Sequence, residues 1–299
     1  MDIDVLGALA VRENGISITP TAPKPRQVLA LLALHADQVV PVSALIEELW
    51  GGLPPRSART TLQTYVLQLR ALIATALEGR EGQEGNGRVR TAKEVLVTLP
   101  GGYLLSSGGG RSDVREFDRL AGMGYRAMDA GDFPNAARLL REALALWSGP
   151  AFADVQGGVQ LDMETRRLEE TRLCALDQRI EADLRLGRHR ELLAELTVLA
   201  SRYRTHENLH GQFMLALHRS GRRGEALDVY QRLRATLVRD LGLEPSGALR
   251  RLQRSILMAG PEGAGAAAAA TGAGVAVGAG VGAGEAVVGG ARVERLVRA

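Results

Sequence analysis

Ser57-Ala58-Arg59-Thr60-Thr61-Leu62-Gln63-Thr64-Tyr65-Val66-Leu67-Gln68-Leu69-Arg70-Ala71-Leu72-Ile73 is the stretch on which the reading of this chain turns. Leu62, Val66, Leu69 and Ile73 recur at i, i+4, i+7 and i+11, the spacing that places side chains on one buried helix face. The margins of the other side carry Arg59, Thr60, Thr64, Gln68 and Arg70. Taken alone, such a stripe is the solvated face of an amphipathic helix. Its meaning depends on what flanks it.

Upstream, Gly51-Gly52-Leu53-Pro54-Pro55 breaks a short helix whose Leu45, Ile46, Leu49 and Trp50 fall on one side, with Ser43 placed to cap it. Before that, Pro25 suits a helix start, and Val28, Leu29, Leu31, Leu32 and Leu34 give the broad apolar face of a buried helix. Ile3-Asp4-Val5-Leu6 and Ile16-Ser17-Ile18-Thr19 are β-prone runs, and Glu13-Asn14-Gly15 between them signals a hairpin. Downstream, a hydrophilic loop from Glu78 to Arg88 leads to two β-prone runs between Glu94 and Leu105, around Pro100-Gly101-Gly102. Strands, three helices with a short turn and a closing hairpin make a winged helix-turn-helix, assigned to residues 1–107.

Residues 108–112 are rich in Gly and Ser and mark a domain boundary. From 113 to 258 the pattern is helical throughout. Phe133, Ala136, Ala137, Leu140, Leu144 and Trp147 form one face; Leu173, Leu176, Ile180 and Leu184 form another; Leu227, Tyr230, Leu233, Leu237 and Leu241 form a third. Helix pairs meet at Gly131, Gly187 and Gly221, and the last two lie 34 residues apart, the tetratricopeptide period. Residues 260–299, almost all Gly, Ala and Val until Arg292, have too little side-chain bulk for a core and read as a disordered tail. The expected fold class is mainly α with small β-sheets: a winged helix-turn-helix domain followed by a tetratricopeptide-like helical bundle.

Composition excludes several classes. The net charge is +3, and Lys24 and Lys93 are the only lysines. Positive and negative side chains balance over residues 1–107, so DNA binding has to rest on placement rather than total charge. The lone Cys174 fits a reducing compartment and lies in an apolar helical pattern that reads as packing. No basic segment precedes an apolar run at the N-terminus, and the glycine density of the tail opposes a membrane helix. A soluble, cytoplasmic protein without a membrane partner is expected. His206-Glu207-Asn208-Leu209-His210 matches H-E-x-x-H, but Phe213 and Ala216 stand where the longer zinc pattern needs Gly and His. No phosphate-binding Gly-Lys loop occurs. No catalytic residues, metal or cofactor are expected.

Several stretches resemble the Streptomyces antibiotic regulatory proteins. They are Val5-Leu6-Gly7, Pro23 to Leu32, Leu45 to Gly51, Thr61 to Val66 with Leu69-Arg70, and Gly102 to Leu105. In the second part, Leu140 to Trp147, Gly187-Arg188-His189, Ala216 to Arg222 and Asp240 to Pro245 are similar to the bacterial transcriptional activator domain of that family. The resemblance implies an activator that binds direct repeats near promoters and recruits RNA polymerase to secondary-metabolite gene clusters; a homodimer on DNA is compatible with it. It also implies that the third helix enters the major groove, with Arg59, Thr60, Thr64 and Gln68 facing base edges. Lys24, Arg26, Thr61, Tyr65, Arg70 and Tyr103 are then the expected phosphate contacts. The rival expectation is a helical-repeat interaction protein or repressor whose winged helix docks proteins.

Overall fold

The computed structural model describes residues 1–78 and 90–259. The loop centred on 79–89 and the tail 260–299, both singled out above, lie outside the described residues. The chain forms two compact units. The first comprises Met1–Arg126 with Arg138–Leu176, and the second Ala127–Ala137 with residues from Asp177 onward.

In the first unit, β1 (Asp2–Asp4), β2 (Ala10–Glu13) and β3 (Ile16–Ser17) form an antiparallel sheet in that order. The Asn14-Gly15 turn works as read, both residues having positive φ (52° and 79°). It joins β3 to β2, however, not to the Ile3–Leu6 run, which pairs with β2 only over Asp2–Asp4. Ala10-Val11-Arg12-Glu13 carries little β propensity, so this central strand is set by its two neighbours. Then come α1 (Pro23–Leu34), β4 (Val39–Pro41), α2 (Val42–Trp50) and α3 (Ala58–Glu78). α4 (Ala92–Val95) precedes the hairpin of β5 (Leu96–Leu99) and β6 (Gly102–Leu105). Glu94 and Val95 are therefore helical rather than extended, because Thr91 and Glu94 close a reciprocal capping box. The second sheet runs β4-β6-β5, so Val39–Pro41 adds a third strand to the wing's hairpin. Ser43 does not cap α2; Pro41 occupies that position, and no side chain bonds the helix start.

Residues 108–112 are tied down rather than free. The Ile3 amide donates to the Arg111 carbonyl at 2.8 Å, and the Arg111 amide donates to Asp2 at 3.1 Å. The compact units divide within α5 (Asp113–Asp129). Asp113, 3% exposed, accepts the amides of Val5 and Leu6 on one oxygen, at 2.6 and 2.7 Å. Burial raises its pKa, against the hydrogen bonds from Leu6, Val5 and Val114, which lower it. Phe117 meets Trp147 edge to face at 5.7 Å, and the Arg172 guanidinium lies 4.6 Å over the same indole. Trp147 is core as read, whereas Trp50 is only half-buried.

α7 (Val159–Arg185) begins against α2. Glu48, 2% exposed, accepts the Gly158 amide at 2.5 Å, the Gln160 amide at 2.9 Å and the Leu161 amide at 3.0 Å. A carboxylate at a helix N-terminus satisfies amides that have no partner within the helix. Gln27 of α1 completes the shell, donating to Glu48 Oε1 at 2.7 Å. Gly158 is required for this approach, since a Cβ there would lie 2.1 Å from the Glu48 carbonyl oxygen. Cys174 is exposed on α7, so the packing role read for it does not hold.

The second unit contains α8 (Leu193–Arg202), α9 (Glu207–Arg219), α10 (Arg223–Leu241) and α11 (Gly247–Met258), with the end of α7 and the start of α6 (Phe133–Leu144). α8 packs on α9 and α9 on α10, and α11 returns against both α9 and α10. The three glycine turns share one mechanism. Gly131, Gly187 and Gly221 have φ of 76°, 78° and 82°. After each, the next amide bonds the carbonyl five residues back: Asp132 to Ala127, Arg188 to Asp183 and Arg222 to Leu217. This is the Schellman stop, which a residue with a Cβ adopts only under strain. Tyr230, Leu233 and Leu237 are buried as read, but Leu241, in the last turn of α10, is 54% exposed.

Two outcomes follow. Gly158→Ala and Glu48→Ala should each lower the first unit's stability, the latter by about 3 kcal/mol, because buried amides lose their acceptor. Urea unfolding followed by circular dichroism measures it, and Glu48→Gln should cost less than Glu48→Ala. In the second unit, burial lowers the pKa of His189, His210 and His218 below 6.5, helped by nearby arginines. Below 6.5 the unfolded chain takes up protons that the folded unit refuses, so stability should fall as pH drops through that value toward the folded pKa values. Thermal melts across this range test the sign, and a His189→Asn/His218→Asn double variant should flatten the slope.

Candidate nucleic-acid interface

α1, α2 and α3 form the helix-turn-helix, and α3 is anchored by Ala58, Leu62, Val66, Leu69, Ile73 and Ala76, all buried. These include the four residues of the sequence register. With that face inward, Arg59, Thr60, Thr64 and Gln68 stand exposed along the opposite stripe. The structure thus brings together all four residues expected to face bases. Gln63 is exposed on the same stripe, and Leu67 is 63% exposed there. Neither was among the expected base contacts, although Arg59, Gln63 and Leu67 follow the same four-residue step as Thr60, Thr64 and Gln68. The Thr64 hydroxyl donates to the Thr60 carbonyl at 3.1 Å, which orients its oxygen as an acceptor.

The expected phosphate contacts fare differently. Lys24 donates from Nζ to the Leu49 carbonyl at 2.7 Å, closing the last turn of α2, and to Gln27 at 3.2 Å. Arg26 pairs with Asp154, which also accepts the Leu9 amide at 2.8 Å. Arg70 donates through Nε and Nη2 to the Leu96 carbonyl (3.1 and 2.7 Å) and through Nη2 to Thr98 at 2.7 Å, joining α3 to β5. Tyr103 is 7% exposed within β6. Arg26, Arg70 and Tyr103 are at least half-buried beside these partners, whereas Lys24 stays exposed while bonding to Leu49. Thr61 and Tyr65 are half-buried at the margin of α3. Arg56, just before α3, and Lys93 of α4, beside the wing, are exposed and make no ion pair or hydrogen bond among the described residues.

The H-E-x-x-H stretch serves the fold. His206 is the N-cap of α9, accepting the Leu209 amide at 3.3 Å, and His210 Nδ1 lies 3.1 Å from the His206 carbonyl. Among the described residues no group of three or more metal-ligating side chains comes together, and no helix is long and apolar enough to cross a membrane.

A helix-turn-helix with a solvent-facing polar third helix and a β-hairpin wing, followed by a helical-repeat bundle, defines a DNA-binding transcriptional regulator. Comparison with known proteins carries this further. Residues 17–83 match the family described as "Transcriptional regulatory protein, C terminal", and residues 112–257 match "Bacterial transcriptional activator domain". The chain is 53% identical to the regulatory protein DnrI of Streptomyces peucetius over 261 residues, 87% of this chain and 93% of that protein. It is 35% identical to the regulatory protein AfsR of Streptomyces coelicolor over 258 residues, 86% of this chain but 24% of AfsR. A solved structure of Mycobacterium tuberculosis EmbR in complex with a low-affinity phosphopeptide matches with a TM-score of 0.75 at 33% identity, over 86% of this chain and 64% of that one. The chain belongs to the Streptomyces antibiotic regulatory protein family of transcriptional activators.

Arg70→Ala should therefore behave as a stability variant, costing about 1.5–3 kcal/mol through lost charge-assisted hydrogen bonds. Arg59→Ala should leave the melting curve within about 0.5 kcal/mol of the parent. Equal destabilisation by the two substitutions would contradict this division.

Proposed function

We propose that residues 1–107 read promoter DNA through α3 and that residues 113–258 convey activation. The observation that carries this is the α3 stripe: Arg59, Thr60, Gln63, Thr64 and Gln68 are all exposed while the helix's other face is buried. A helix in the major groove needs such an arrangement, donors and acceptors outward on a helix whose back cannot rotate. Arg59 is suited to guanine and Gln68 to adenine, the bidentate pairs of groove readout. Leu67 gives an apolar patch that suits a thymine methyl. Arg56, Lys93, Thr61 and Tyr65 take the phosphate role, while Lys24, Arg26, Arg70 and Tyr103 hold the domain in shape.

The target sites are direct repeats about one helical turn apart, read by two copies side by side in the cytoplasm. RNA polymerase is the partner that the activator recruits, at a secondary-metabolite cluster. The family and the similarity to DnrI support this part of the reading. No membrane partner, metal or cofactor enters it.

Capture of fragmented host DNA by the purified protein, followed by sequencing, tests the reading. Fragments sharing repeats upstream of a biosynthetic cluster are expected, with affinity falling steeply as salt rises, because each phosphate contact releases counterions. An Arg59→Ala/Gln68→Ala variant should lose the shared motif and keep its fold. Recovery that ignores sequence, or binding that ignores salt, would instead favour a winged helix that docks proteins.

A further inference from the structure

A cavity of about 440 Å³ opens in the second unit, lined from α8, α9 and α10. Its size is that of small-molecule sites, which bury an apolar body and fix it with a few polar groups. Phe213, Val229 and Leu233 supply the apolar wall, at 8%, 3% and 1% exposure. Arg204 and Arg232 supply the charge, both exposed.

These two guanidiniums differ from most others in the unit. Arg179 and Arg188 hold Asp183, Arg222 holds Glu225, Arg234 holds Glu244 and Arg239 holds Asp240. Arg204 and Arg232 form no ion pair or hydrogen bond among the described residues. The nearby acids are already taken: Arg204 influences Asp240, and Arg232 influences Glu225, only at longer range. Two forked donors left without an acid, over one apolar wall, are matched to an oxyanion on an apolar body.

His210, 7% exposed, adds a third group. Its Nδ1 lies 3.1 Å from the His206 carbonyl. A carbonyl only accepts, so Nδ1 carries the proton there. The other ring nitrogen, Nε2, is an acceptor in the neutral ring and a donor in the charged one. The hydroxyls of Thr197 and Ser201 are spent on helix carbonyls, which leaves the arginines as the principal donors.

We propose that this cavity binds a small organic anion, a carboxylate or phosphate ester carried on an apolar group, gripped by Arg204 and Arg232. The proposal does not depend on how DNA is read.

Isothermal titration calorimetry on the full chain tests it with phenyl phosphate and phenylacetate as probes. Inorganic phosphate and benzyl alcohol serve as the partial ligands. At least one aromatic anion should bind about tenfold or more tighter than either partial ligand, and whichever anion binds better identifies the oxyanion. Arg204→Gln and Arg232→Gln should each weaken that binding about tenfold with unchanged melting, since both side chains are exposed. Undiminished binding by the double variant would overturn the proposal, as would equal binding of benzyl alcohol. Absence of binding by both aromatic anions at about 10 mM would also overturn it, that concentration lying beyond the weakest affinities of interest. An oligoglutamate peptide that binds through Arg204 and Arg232 when the small anions do not would overturn it in favour of a protein partner.

Discussion

The Glu48 carboxylate is the contact on which the first unit depends. It sits on α2, inside the helix-turn-helix, and it ends the orphan amides of α7, more than a hundred residues later. Burying a charge is unfavourable unless its lone pairs are filled. Here three backbone amides and Gln27 fill them, and the α7 helix dipole favours a negative charge in that place. The arrangement leaves no room for a side chain at residue 158. The helix-turn-helix is thereby tied to the start of a helix that lies within the stretch matching the bacterial transcriptional activator domain. Asp113 repeats the device from the other direction, accepting amides of the β1–β2 connection at the start of α5.

Among the described residues of the first unit, two kinds of cationic side chain can be distinguished. Lys24, Arg26 and Arg70 are brackets: each spans elements by satisfying a carbonyl or a carboxylate. Arg56 and Arg59 are left in water. Arg70 joins α3 to β5, while Arg59 and Gln68 of the same helix stand exposed. The second unit shows the same economy, most arginines being paired and the cavity receiving two that are not.

Much of the architecture was legible in the order of residues. The apolar step of α3, the Asn14-Gly15 turn and the three glycine stops are local signals. Each is decided by a few neighbouring dihedrals and by the period of one helix or strand. The exposed stripe was also legible, because fixing the buried face of α3 fixes its complement. What misled were weak local signals. Ala10–Glu13 has poor β propensity and is a central strand only because β1 and β3 flank it. Val39–Pro41 joins the wing's sheet through partners some sixty residues away. Cys174 sits in an apolar helical pattern and is nevertheless exposed.

The sequence by itself determined the class of fold, the face that α3 buries and the places where helices stop, since these follow from periodicity and backbone preference. Tertiary structure alone decided which polar residues are free to bind anything. Glu48 is buried; Lys24, Arg26 and Arg70, expected as phosphate contacts, hold protein partners. Their partners lie 25, 128 and 26 residues away in the chain. A charged side chain states only that it needs a partner, and the chain's path in space determines whether that partner is protein, water or nucleic acid.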